Sequence, residues 1–79
     1  MSYTPFVESL VKSLVAQPES VSIDEVLDQG TRTINVRVHQ EDVGKVIGKN
    51  GRVISAIRCV VSAIASKSRE RAYVKIVTE

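Results

Sequence analysis

Gly48 and Gly51, three positions apart between two apolar-periodic segments, constrain this chain more than any other feature. The run reads Val46-Ile47-Gly48-Lys49-Asn50-Gly51 and is followed by an amphipathic stretch from Arg52 to Lys67. Glycine lacks a Cβ and accepts positive φ, so the pair permits a tight turn that another backbone can approach closely. The pattern predicts two helices joined by a turn with Lys49 and Asn50 at its tip. A cation and an amide there, beside a helix N-terminus that attracts anions, make a place to lay a sugar-phosphate backbone.

Two other glycine readings fail on spacing. Gly44 and Gly48 form a G-x-x-x-G, but no apolar segment of about 20 residues surrounds them, which sets aside a transmembrane dimer face. The stretch from Gly44 to Lys49 also resembles a phosphate-binding P-loop. It has one residue too few between its glycines, and Asn50 stands where Ser or Thr must hold Mg²⁺.

The flanks supply the fold. Thr4-Pro5 reads as an N-cap followed by proline in the first turn, and Phe6, Val7, Leu10, Val11, Leu14 and Val15 then recur at helical spacing. Gln17-Pro18 ends that helix, because the residue before proline leaves the α region. Val21-Ser22-Ile23 alternates as a strand. Val26-Leu27 extends it with a break in phase at Asp24-Glu25, which predicts a bulge. Asp28-Gln29-Gly30 supplies hairpin chemistry. Residues 31–39 form the clearest strand, with Ile34, Val36 and Val38 on a buried face and Thr33, Asn35, Arg37 and His39 on a wet one. Glu41-Asp42 opens a short helix carrying Val43, Val46 and Ile47, where acids suit the helix dipole. After the glycine turn come the long helix and a last strand over 72–77. The order α-β-β-α-α-β makes a two-layer α+β domain, with three helices on one face of a three-stranded sheet.

Seventy-nine residues make one domain over 1–79 that buries about 60% of its unfolded surface, so association is a common remedy for its marginal stability. The net charge of +2 hides an asymmetry. Residues 1–43 carry three Lys or Arg against seven acids, a net −4, and residues 44–79 carry eight against two, a net +6. The basic half begins at the glycine turn, which favours a polyanion partner. No secretory signal opens the chain and no segment is long enough to insert in a membrane, so an intracellular setting is the expectation. One Cys and one His provide neither a disulfide nor a metal set. No catalytic arrangement and no cofactor motif is present, which predicts a binding protein rather than an enzyme.

With this element order the chain resembles a type II KH domain, whose G-x-x-G loop clamps about four nucleotides. More narrowly, Glu41-Asp42-Val43-Gly44-Lys45-Val46-Ile47-Gly48-Lys49-Asn50-Gly51-Arg52 followed by Ala56-Ile57-Arg58 is similar to the small bacterial KhpA (YlqC-type) proteins. That resemblance implies a cytoplasmic, homodimeric, single-stranded-RNA-binding protein with an RNA-chaperone role. It also implies a partner of the KhpB/Jag type and a link to cell-wall synthesis and cell shape.

The expected RNA contacts are Gly48, Lys49, Asn50, Gly51 and Arg52 on the backbone, and Lys45 at the groove mouth. Val46, Ile47 and Ile54 are expected to shape an apolar floor for the bases while part of each also belongs to the core, Ile54 mainly so, and Arg37 is expected on the wet face of the central strand. Few large aromatics are present, so stacking is not the expected main mode. In the long helix, Val53, Ile54, Ile57, Val61, Ile64 and Ala65 form an arc that suits the sheet. Ala56, Cys59, Val60 and Ala63 form a second arc, and between its ends the helix has only a narrow polar strip of Ser55, Arg58, Ser62 and Ser66. A domain this small does not cover both arcs, so the second is expected to join two copies, the alternative being a first helix that wraps far enough to cover both. The competing readings are a dimerising adaptor with a vestigial loop and a binder of single-stranded DNA.

Overall fold

A computed structural model describes residues 3–77; Met1, Ser2, Thr78 and Glu79 lie outside it. Its elements follow the predicted order: α1 (Thr4–Leu14), β1 (Ser22–Asp28), β2 (Thr31–Arg37), α2 (Val43–Ile47), α3 (Arg52–Lys67) and β3 (Arg71–Ile76). The sheet order is β1-β2-β3, with β1 antiparallel and β3 parallel to β2. A two-residue turn, Gln29-Gly30 with positive φ at both positions, closes the first hairpin, as the twist of paired strands favours.

The inward apolar side chains of β2 and β3 meet the helices in one core. Ile34, Val36 and Val74 from the sheet pack with Val7 and Val11 of α1, Val46 of α2, and Ile54, Ile57, Val61 and Ala65 of α3. Parity then places Thr31, Thr33, Asn35 and Arg37 of β2, and Arg71, Tyr73 and Lys75 of β3, on the opposite face.

Three local expectations fail for identifiable reasons. There is no bulge at Asp24-Glu25: β1 pairs with β2 in continuous register. Glu25 simply takes an inward position, where Arg32 lies 3.0 Å from one of its carboxylate oxygens and the Tyr3 N–H donates to the other at 2.9 Å. Arg32 also pairs with Glu70, which holds the Glu70 carboxyl below its usual range despite partial burial. Charge thus fills a place that alternation reserves for an apolar group. The helix N-cap is Tyr3, not Thr4; Thr4 is already helical and its hydroxyl lies 3.4 Å from Glu25. Phe6, expected on the apolar face, is exposed.

Asp42 is the clearest departure from the dipole reading. It is 1% exposed, and its two carboxylate oxygens accept the N–H groups of Ala16 and Gln17, at 3.2 and 3.0 Å. The side chain therefore ties the end of α1 to the start of α2. Burial works against its ionisation, but the two N–H bonds and Lys45 outweigh that and hold the carboxyl below the ordinary range. A depressed folded pKa means stabilisation that is complete at neutral pH and lost as pH falls through the folded value, below about 3.9. Asp42→Asn is expected to melt at a lower temperature than the parent at pH 7, with the gap narrowing on acidification. Calorimetry from neutral pH to below the carboxylate range checks this, and a pH-independent gap would contradict it.

Candidate nucleic-acid interface

The turn between α2 and α3 is built by backbone rules. The Gly48 N–H closes α2 by donating to the Gly44 carbonyl at 2.8 Å, and Gly48 then turns the chain out at φ 78°, ψ 174°. Residues 49–51 make one tight turn closed by the Gly51 N–H on the Gly48 carbonyl at 3.1 Å. Asn50 (φ 58°) and Gly51 (φ 72°) are both left-handed, and asparagine is among the few side-chain-bearing residues that accept this conformation. α3 then starts at Arg52. Lys49, Asn50 and Arg52 are all exposed, so a cation, an amide and a second cation stand around a helix start.

The two glycines serve different ends. A Cβ on Gly48 would lie 2.9 Å from the Val53 backbone nitrogen and 2.8 Å from its Cβ. A Cβ on Gly51 would meet nothing within 4 Å. Gly48 is where α3 folds back onto α2; Gly51 leaves open space in front of the turn.

The other expected contacts divide. Lys45 stands 53% exposed at the end of α2, with its ammonium 3.4 Å from the Asp42 carboxylate. Val46 is 0% exposed and belongs to the core, so it supports the turn from beneath instead of forming an open floor for bases. Ile47 is half-buried, and Ile54 is core. Arg37 is exposed on the sheet face turned away from the helices, so the structure does not bring it into the layer that carries the turn.

Electrostatic pairing sharpens the charge asymmetry. Lys12, Arg32 and Lys45 are in ion pairs with described acids. Among the described residues, Arg37, Lys49, Arg52, Lys67, Arg69, Arg71 and Lys75 form no ion pair. Most of these uncompensated cations lie in the half that starts at the turn.

Two further features frame the site. Ala56, Cys59, Val60 and Ala63 of α3 are exposed, with Val60 at 44%, and α1 does not wrap far enough to cover them. Ala56 and Val60, with Leu10 and Leu14 of α1 and Val53 of α3, line a shallow apolar hollow of about 380 Å³. On the other flank of α3, Arg58 donates from Nε to the Val74 carbonyl at 2.9 Å, and its guanidinium lies 4.8 Å from the Tyr73 ring centroid. Sequence reasoning missed this pair. Arg58 was legible as polar and Tyr73 as alternating, but their meeting around the sheet edge needs the packing of α3 on β3. No helix among the described residues is long and apolar enough to cross a membrane.

Comparison with known families matches residues 4–76 to the KH domain of KhpA/KhpB. The RNA-binding protein KhpA of Clostridium perfringens is 46% identical over 71 residues, covering 90% of this chain and 95% of its own. That of Oceanobacillus iheyensis is 44% identical over 70 residues, covering 89% and 93%. That of Chlamydia pneumoniae is 43% identical over 76 residues, covering 94% and 95%.

Proposed function

Because this chain belongs to the KhpA/KhpB family of KH domains, we propose that it binds single-stranded RNA across the turn at residues 48–51, and that it does so as a homodimer. One observation carries the reading: the turn presents Lys49, Asn50 and Arg52 to solvent with no acidic partner among the described residues, at a helix start, with open space before Gly51. The RNA backbone lies against these groups, and Lys45 at the groove mouth adds a third phosphate contact. Phosphate contacts supply affinity, and groups flanking the turn, Ile47 among them, supply modest base preference. The relatives' name supports RNA over DNA as the partner. The family resemblance brings the finer parts of the reading: a cytoplasmic RNA-chaperone role, a second KH-bearing partner of the KhpB/Jag type, and a link to cell-wall and cell-shape control. Self-association is supported by the open arc of Ala56, Cys59, Val60 and Ala63.

Salt and charge reversal test the clamp together. With Lys45, Lys49 and Arg52 as phosphate contacts, log affinity for a single-stranded oligonucleotide of about four nucleotides should fall against log salt with a slope of about −2 per domain. Changing Lys49 and Asn50 together to Asp should remove measurable binding while the circular dichroism spectrum is unchanged. A slope near zero, or binding that survives the double change, would point instead to a protein-interaction adaptor with a vestigial turn.

A further inference from the structure

The outward face of β3 carries an alternating row that the clamp does not use: Arg71, Tyr73 and Lys75. Register places them there, because their neighbours Ala72, Val74 and Ile76 point inward. All three are exposed, with Tyr73 at 47%. Neither cation has an ion-pair partner among the described residues. The outward residues opposite them on β2 are Thr31, Thr33 and Asn35, which carry no charge. The outward acids Asp24 and Asp28 sit on β1, two strand spacings or about 9.6 Å away. That is close to a Debye length at physiological salt, so they offset the row only weakly.

β3 is also an edge strand. The Val77 N–H bonds the Val36 carbonyl, so in a parallel pair the alternate residues Ala72, Val74 and Ile76 turn their backbone groups to the open side. Arg58 occupies this side. It bonds the Val74 carbonyl and sets its guanidinium over the Tyr73 ring, which fixes the ring and adds a cation beside it. An exposed aromatic held by arginine, with a cation about 6.6 Å along the strand on either side, is chemistry that suits a base between two phosphates. Arg58 lies six residues beyond Arg52, roughly 9 Å along the axis of α3, so the row is within reach of nucleotides leaving the turn.

From this we infer that Arg71, Tyr73 and Lys75 form a second contact for single-stranded RNA, separate from the turn. Tyr73 stacks a base, and Arg71 and Lys75 meet the flanking phosphates. The inference rests on the RNA-binding reading of the turn, and it extends the bound strand beyond the roughly four nucleotides of a KH clamp. It also gives a role to the outer sheet face, where Arg37 stands at the end of β2 nearest Ile76.

The test uses fluorescence anisotropy with labelled oligouridylates of about four and about twelve nucleotides, the shorter matching the clamp. The variants are Arg71→Glu with Lys75→Glu, Tyr73→Ala and Tyr73→Phe, all at exposed positions, with melting curves to confirm folding. The charge-reversed protein should bind the short RNA like the parent and the long RNA about tenfold or more weakly. Its salt slope on the long RNA should be shallower by about 1.4, the loss of two phosphate contacts. Tyr73→Ala should lose about tenfold on the long RNA only, and Tyr73→Phe should keep parental affinity. Unchanged long-RNA affinity and slope in the charge-reversed protein, while Lys49→Asp with Asn50→Asp still abolishes short-RNA binding, would overturn this contact and leave the clamp standing. A parent that binds neither RNA would overturn both. Unchanged RNA binding together with a poly-glutamate interaction lost on charge reversal would reassign the row to an acidic protein partner.

Discussion

Gly48→Ala is expected to lower the melting temperature by roughly 12 °C or more, whereas Gly51→Asn should melt close to the parent. At Gly48, φ 78° with ψ 174° is a conformation that side chains essentially never adopt, costing about 1–3 kcal/mol. The new methyl would also press on the backbone nitrogen and Cβ of Val53, and backbone at the start of α3 cannot step aside without moving the helix. Together these put the loss at about 3–5 kcal/mol. A domain of this length has only about 4–12 kcal/mol in total. Gly51 is ordinary left-handed backbone facing open space, and asparagine accepts that conformation. Function should divide the other way. Gly51→Asp should leave a folded protein that no longer binds RNA, because its side chain projects a negative charge where phosphate approaches. Calorimetry and RNA titration on the three variants check both halves. Equal melting temperatures for Gly48→Ala and the parent would show that α3 can shift, and that the turn is softer than its contacts suggest.

The two glycines illustrate what was legible beforehand. Spacing alone located the turn, because G-x-x-G between two apolar periods leaves few alternatives. It did not separate the steric glycine from the open one, because that depends on where Val53 lies once α3 folds back. The bounds of α3 were read correctly, since sixteen residues of strong helical period leave little room for error. Strand identity was legible wherever β-branched residues alternate, as at Ile34 and Val36. It failed in detail at Glu25, whose inward position is satisfied by Arg32 across the hairpin and by the Tyr3 N–H, partners that the local pattern does not show. Asp42 was hidden for the same reason. An acid before a helix reads as a dipole partner, and its true partners at Ala16 and Gln17 are distant in sequence. Val46 looked available to bases because it adjoins the turn, but in a five-residue helix one side must face the core. Side chains whose partners lie nearby in the chain were thus readable, and those satisfied by distant backbone were not.

If the proposed dimer forms through the second arc of α3, Val60→Asp should yield a folded monomer. In the single chain Val60 is 44% exposed and flanked by Ala56, Cys59 and Ala63, so a carboxylate there stays hydrated and costs the monomer little. Across a two-fold axis one substitution is felt twice, and the two new charges would be pressed together in an apolar contact. A charge buried unpaired at an interface costs about 2–5 kcal/mol, a weakening of self-association by at least 30-fold or so. The small residues around Val60 bear on why this arc suits a second copy. Alanines and a cysteine let two helices approach closely, and the hollow that Val60 and Ala56 line with Leu10, Leu14 and Val53 would receive whatever protrudes from the partner. Placing two turns on one particle raises the local concentration of the second once the first has engaged. RNA long enough to reach both should therefore bind the Val60→Asp monomer about a hundredfold more weakly, and RNA of about four nucleotides should bind it equally well. Sedimentation velocity at micromolar concentration, paired with titrations at both RNA lengths, separates the two effects. A parent that sediments as a monomer would remove the dimer. A monomeric variant that keeps full affinity for long RNA would show that the two turns do not act on one strand.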